Sequence, residues 1–346
     1  MIFPKNNEEI KATYVADKKT KRLLTRIKAN QVAVLVHTDI DEVAALEIIE
    51  KKISAVINFS KSLTGKYPTL GLKRLLEAKI PVFDVLSEHE IFPKLRDGNL
   101  VIVNKENKTV QFPDDDNPKI ILPVKEWTME KLEYFLELAY QNLERELDNF
   151  ITNTLEYASK EKNIVLQPLK IPELNTKFTG HHVVVVVRGN NYRNDLYAIR
   201  PYIKDYRPVL IGVDGGADAL IEYGFVPDII IGDMDSVSDE ALKSGAEIVV
   251  HAYPHGKAPG LSRVKNLGLD AKVIPSVGTS EDVALLMAYE EGAEMIVAIG
   301  SHSNVIDFLE KGRKGMASTL LVRMKIGSKL IDAKGVSTLY RQIVYF

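Results

Sequence analysis

The chain contains no cysteine. That absence removes disulfides, thiolate metal sites and cysteine nucleophiles together, and it is compatible with a reducing compartment, so a cytoplasmic location is expected. No apolar run approaches the roughly 18 residues that a membrane helix needs, and residues 1–22 are too charged for a secretory signal. Charge of one sign is also missing: 45 Lys and Arg against 47 Asp and Glu leave a formal charge of −2. Bulk electrostatics therefore give no reason to expect a nucleic-acid partner. Neither a Ser-His-Asp order nor a His-Glu-x-x-His zinc spacing occurs. What is present is ordinary for globular domains, with 45% hydrophobic and 27% charged residues. A length of 346 residues predicts two or three domains.

Periodicity divides the chain into four segments. Residues 1–118 read as a small α/β domain, with apolar runs at 32–36, 55–59, 81–83 and 100–103 and helical patterns at 41–51 and 70–79. Asp97-Gly98 and residues 104–108 read as hairpin turns. Gly65-Lys66 lacks the upstream glycine of a P-loop. Three consecutive aspartates, Asp114, Asp115 and Asp116, sit in a Pro-bounded break that reads as a solvated linker. Residues 119–178 read as a helical connector. Its stripe of Leu132, Leu136, Ala139, Leu143, Leu147, Phe150 and Leu155 either packs within the chain or forms a homodimer.

Residues 179–317 repeat strand, loop and helix. Strands are expected at 183–187, 209–213, 229–231, 247–250, 272–274 and 295–299, and helices at 194–204, 216–223, 238–244, 260–267 and 281–291. Five consecutive valines at 183–187 suit a strand buried on both faces of a parallel sheet. The alternation predicts a doubly wound sheet whose ligands sit beyond the carboxyl ends of its strands. Residues 318–346 read as a short β tail, with strands at 320–325 and 329–333.

Candidate chemistry gathers at those strand ends. Val213-Asp214-Gly215-Gly216-Ala217 is followed by Pro227-Asp228-Ile229-Ile230-Ile231-Gly232-Asp233-Met234-Asp235-Ser236. Carboxylates at one rim of a parallel sheet suit Mg²⁺, which binds one or two of them plus substrate phosphates. Gly189, Gly215 and Gly216 can line a phosphate cradle or serve as turn glycines. Arg188 and Arg193 can grip a phosphate or form surface ion pairs. Thr279 and Ser280 can cap the helix that follows or touch a phosphate at its start. His251, His255 and His302 are candidates for action on a leaving group.

The paired aspartate motifs, within residues 180–317, resemble the catalytic region of thiamin pyrophosphokinases. The resemblance implies Mg²⁺ and ATP as ligands, Asp214, Asp233 and Asp235 as the catalytic, metal-facing set, and diphosphoryl transfer. Arg188, Gly189, Gly215, Gly216, Thr279 and Ser280 would contact the nucleotide or diphosphate. The chain departs from that family where Ser280 replaces an Asp and where Gly300-Ser301-His302 replaces a Gly-Gly-Arg-x-Asp-His signature. The stretch after Ala317 is too short for the family's β-sandwich, so conversion of thiamin is not expected. Over a greater length, His181-His182-Val183 to Arg188-Gly189 and Gly335-Val336-Ser337-Thr338-Leu339-Tyr340-Arg341 resemble the SteA family of cytokinetic-ring proteins. Residues 30–110 share that resemblance, and the loop after their second apolar run also resembles phosphohistidine swivelling domains, without a histidine. The SteA likeness implies a cell-division partner protein, a site of low or no kinase activity, and membrane association if the native chain continues beyond Phe346.

Overall fold

The computed structural model describes residues 9–86, 89–113, 120–310 and 312–339. The aspartate run at 114–116 and the motif residues Tyr340 and Arg341 lie outside them. The chain divides into two compact units, residues 1–148 with 309–312, and residues 149–308 with 313–346.

The first unit runs β1 (Glu9–Asp17), α1 (Thr20–Arg26), β2 (Val32–Leu35), α2 (Glu42–Glu50), β3 (Ala55–Asn58), α3 (Gly71–Glu77), β4 (Val82–Val85), β5 (Leu100–Asn104), β6 (Thr109–Phe112) and β7 (Ile120–Glu126). The strands close into a barrel in the order β1-β2-β3-β4-β7-β6-β5. Strands β1 to β4 are parallel, and β4-β7-β6-β5-β1 pair antiparallel. Val32, Val34, Ala55, Ile57 and Phe83 fill the interior, whereas Ala33, Leu35, Val56 and Val82 point outward under the helices. That is the period-2 alternation of a strand with both faces covered. Residues 120–126, placed by sequence in a helical connector, are the strand that pairs with β4 and helps close the barrel. Their alternating exposed and buried positions, with Lys125 and Glu126, hide them from an apolar-run search.

Helix α4 (Met129–Lys160) follows as one element of 32 residues. Leu132, Ala139 and Phe150 of the apolar stripe are buried. Leu132 packs in the first unit's core beside Trp127, and Phe150 lies 6.0 Å from the ring of Phe308 in the second unit. Packing within the chain thus covers much of the stripe, while Leu155 stays 62% exposed.

The second unit continues with α5 (Asn163–Leu166), β8 (His182–Val186), α6 (Tyr192–Ala198), α7 (Arg200–Tyr206), β9 (Val209–Val213), α8 (Gly216–Glu222), β10 (Ile229–Gly232), α9 (Asp239–Leu242), β11 (Glu247–Ala252), α10 (Leu261–Asn266), β12 (Lys272–Pro275), α11 (Ser280–Glu290), β13 (Met295–Ile299), α12 (Val305–Glu310), α13 (Ala317–Ile326) and β14 (Leu330–Asp332). Its parallel sheet has the order β12-β11-β10-β9-β8-β13-β14. The strand order reverses at β8, where the chain first winds one way to β12 and then resumes at β13 on the other side. Val183 and Val185 enter the core beneath α11 and α13, and Val184 and Val186 enter the opposite core with α6 and α8. Each fully buried valine contributes about 1.5–3 kcal/mol relative to exposure.

Two local expectations need correction. Residues 194–204 are two helices, not one, because Pro201 supplies no N–H and starts α7 afresh. Residues 320–325, expected as a strand, lie inside α13, whose Ala317, Leu321, Val322 and Ile326 form one buried helical face. The expected strand at 329–333 is present as β14, parallel to β13. The tail is therefore a helix and one strand.

Candidate active site

The two aspartate motifs are joined by a backbone lock. Asp214 follows β9 with a left-handed φ of 48°. Its N–H donates to Ile231 O at 2.9 Å, and its carbonyl accepts from Ala217 N at 3.1 Å as α8 begins. Its side-chain Oδ1 accepts from Met234 N at 3.0 Å. A Cβ on Gly232 would collide with this carboxylate, so only glycine leaves it room. Met234 is fully buried and also left-handed, with φ 64°. Burying Met234 turns its neighbours Asp233 and Asp235 outward, and both are exposed. Asp233 Oδ1 accepts from Asp235 N at 3.0 Å, fixing the turn. Arg263 of α10 donates to Met234 O and to Asp239, bracing the turn from below. No motif in the sequence marks Arg263 for this task.

Asp233 and Asp235 face a cleft of about 510 Å³ beyond the ends of β10, β11 and β12. Its lining also includes His251 at the end of β11 and Ser280 at the start of α11, together with Glu161, Arg313 and Tyr253. Burial pushes the His251 imidazole below its ordinary pKa, against the pull of Asp282 and Asp233; Arg313 adds to the depression. Burial and the neighbouring Asp282 raise the carboxyl of Glu161. Glu161, Arg313 and Tyr253 escaped sequence reasoning because they come from loops and a helix end far apart in the chain. Larger depressions lie beside α6 and α7 and at the amino-terminal edge of the sheet. Neither contains the motif aspartates.

Other expected site residues take local structural roles. Thr279 caps α11: its side chain accepts from Asp282 N at 3.0 Å, and Asp282 Oδ2 accepts from Thr279 N at 2.9 Å. This is a capping box. Arg188 lies across Gly215, and its Nη2 is 3.9 Å from Asp218 Oδ2. Gly189 packs on the backbone of Gly300, and Gly216 on that of Val186, each with no space for a Cβ. In this conformation the three glycines serve close packing among strand ends. Arg193 sits 3.6 Å from Glu222, the ion-pair alternative. His302 is buried with Nδ1 2.9 Å from Glu281 Oε2, and the ring of His255 stacks on Tyr253 at 5.6 Å. Of the three candidate histidines, His251 alone lines the cleft.

Among the described residues, no group of three or more His, Cys, Asp or Glu side chains is arranged to hold a metal. Asp214 Oδ1 is turned to Met234 N, whereas Asp233 and Asp235 present hard oxygen donors one residue apart in the cleft. Mg²⁺ commonly takes one or two carboxylates, its remaining positions being filled by waters and substrate phosphates.

Comparison with known proteins points to the same stretch. Residues 202–255 match the thiamin pyrophosphokinase catalytic domain. That stretch is similar to a pyrophosphokinase catalytic domain. The match holds β9, β10 and β11, and with them Asp214, Asp233, Asp235 and His251. The chain is 31% identical over 103 residues to the 6-hydroxymethyl-7,8-dihydropterin pyrophosphokinase of Pyrococcus furiosus, covering 26% of this chain and 44% of that protein. It thus spans less than half the length of the curated relative that it matches. Among solved structures, the thiamine pyrophosphokinase of Bacillus subtilis is 21% identical, with 44% of this chain and 60% of that one covered and a TM-score of 0.27. A 3-isopropylmalate dehydratase (leuD) of Methanocaldococcus jannaschii is 11% identical, with 36% and 86% covered and a TM-score of 0.25. At these TM-scores the structural likenesses carry no weight. No described helix is long and apolar enough to cross a membrane.

Proposed function

We propose that the second unit is an ATP- and Mg²⁺-dependent diphosphotransferase acting on a hydroxyl-bearing heterocyclic acceptor. The observation that carries this reading is the outward pairing of Asp233 and Asp235 on one hydrogen-bonded turn, lining a cleft that also takes in the start of α11. The pyrophosphokinase-like match over residues 202–255 and the dihydropterin relative support it. Bound Mg²⁺ would neutralise charge on the triphosphate. The protein's own contribution is positioning, which dominates phosphoryl transfer. The bond that forms joins the acceptor oxygen to the β-phosphorus, and nucleoside monophosphate leaves.

A second reading is a site that binds nucleotide or diphosphate with little or no turnover. It is favoured by Ser280 standing where the kinase pattern has an aspartate, and by the engagement of Asp214 with the backbone. A SteA-like cell-division role belongs with this reading and is carried by sequence resemblance alone. Calorimetry with ATP, with and without Mg²⁺, tests both readings. Assays for AMP release with 6-hydroxymethyl-7,8-dihydropterin or thiamin separate them. Mg²⁺-dependent ATP binding that weakens in Asp233→Ala and Asp235→Ala is expected, and AMP release should follow with the dihydropterin rather than with thiamin. Unchanged affinity in both variants sinks the site, and tight binding with no AMP release favours the second reading.

A further inference from the structure

Ser280 and His251 lie within hydrogen-bond distance of each other in the lining of the cleft. Ser280 is the first residue of α11, and its Oγ lies 3.2 Å from His251 Nδ1. The other ring nitrogen, Nε2, lies 3.2 Å from Ser276 O. A carbonyl oxygen only accepts, so Nε2 carries a proton. Burial disfavours the imidazolium, so Nδ1 of the neutral ring is an acceptor and Ser280 donates to it. The groups facing the ring are Asp282 on α11, Asp233 after β10 and Arg313 before α13, with Glu161 also in the cleft lining. Thr279, next in sequence, spends its hydroxyl on the cap, which leaves Ser280 free of that duty. A serine that has donated its proton to a neutral imidazole turns oxygen lone pairs toward whatever occupies the cleft.

We propose that Ser280 and His251 form a proton relay that takes the proton of the acceptor hydroxyl during diphosphoryl transfer. The inference rests on the diphosphotransfer reading and adds two residues to it. As the acceptor oxygen bonds to the β-phosphorus, its proton passes to Ser280 Oγ. The original Ser280 proton passes to His251 Nδ1, and the bond between the β-phosphorus and the bridging oxygen to the α-phosphorus breaks to release nucleoside monophosphate. The imidazolium then returns its proton to water once the products leave. Without the relay, the acceptor must lose its proton to solvent in a half-enclosed cleft.

The test uses the full chain with ATP, Mg²⁺ and 6-hydroxymethyl-7,8-dihydropterin. Ser280→Ala and His251→Gln should each lower kcat by about 10²-fold or more, the size expected for general acid–base catalysis. The calorimetric Kd for ATP should change far less than kcat, and Ser280→Thr, which keeps a hydroxyl, should recover most of the rate. Imidazole ¹⁵N spectra should show His251 as the Nε2–H tautomer, with an Nδ1 shift that changes in Ser280→Ala. Wild-type kcat in Ser280→Ala, or an Nδ1–H tautomer, overturns the relay. Loss of ATP affinity in step with kcat reduces the pair to a binding role and overturns it equally. A wild type that binds Mg²⁺-ATP yet releases no AMP overturns the relay and leaves the nucleotide site standing. Failure to bind ATP removes the underlying reading itself.

Discussion

Gly232→Ala is the most discriminating single change in the aspartate turn. The methyl group would occupy the space now filled by the Asp214 carboxylate, which must rotate away and release Met234 N. A hydrogen bond to a charged acceptor contributes about 1.5–3 kcal/mol, and the abandoned N–H lies beside a fully buried side chain. For a domain of this size a loss of that order lowers Tm by roughly 3–12 °C. The same rotation frees the turn that aims Asp233 and Asp235, so Mg²⁺-dependent ATP affinity should fall in parallel. Asp214→Asn is the control, because its amide oxygen still accepts from Met234 N. It should melt near wild type, so any loss of nucleotide affinity in it reports charge rather than geometry. Calorimetric melts and ATP titrations of the two variants check both halves. A Gly232→Ala protein that melts with wild type would show that the lock between the motifs does not exist.

Other expectations follow from the two units separately. In the barrel, Asp84 accepts from Ser62 Oγ at 2.5 Å, Ser62 N at 3.1 Å and Trp127 Nε1 at 2.8 Å. Asp84→Ala strands three donors and should cost about 3 kcal/mol or more, read through the fluorescence of Trp127, the chain's one tryptophan; an unchanged melt contradicts the network. At Glu247, burial raises the carboxyl pKa, but hydrogen bonds from Lys272, Asn175 and Thr176 outweigh it and hold the group below its usual 4.5. Its stabilisation is therefore complete at neutral pH and fades as pH falls through 4.5 and below, so Glu247→Gln should melt lower at pH 7 and converge with wild type in acid. A gap between the two that persists in acid would rule this out. Self-association is proposed through Ile151 and Leu155, exposed one turn apart on α4. Light scattering should show a dimer that Leu155→Glu dissociates, and a monomeric wild type ends that proposal.

The sequence alone determined the elements whose patterns are local. Five valines, buried on both faces, announce a central parallel strand, and the stripe from Leu132 to Phe150 announces a long helix. The aspartates at the ends of β9 and β10 were likewise legible, because an apolar run stopping at Asp-Gly-Gly or Gly-Asp-x-Asp is a short-range signal. Strands β1 and β7 were not legible. Their polar positions alternate with buried ones, and barrel closure, a long-range event, decides that they pair. Tertiary structure also decided that Asp214 serves the turn while Asp233 and Asp235 face the cleft, since a left-handed Met234 buried beneath them sets that division. It alone brought His251 to Ser280 from 29 residues away. A side chain at a strand end and one at a helix start meet only where the parallel sheet gathers the carboxyl ends of its strands, and no spacing along the chain encodes that distance.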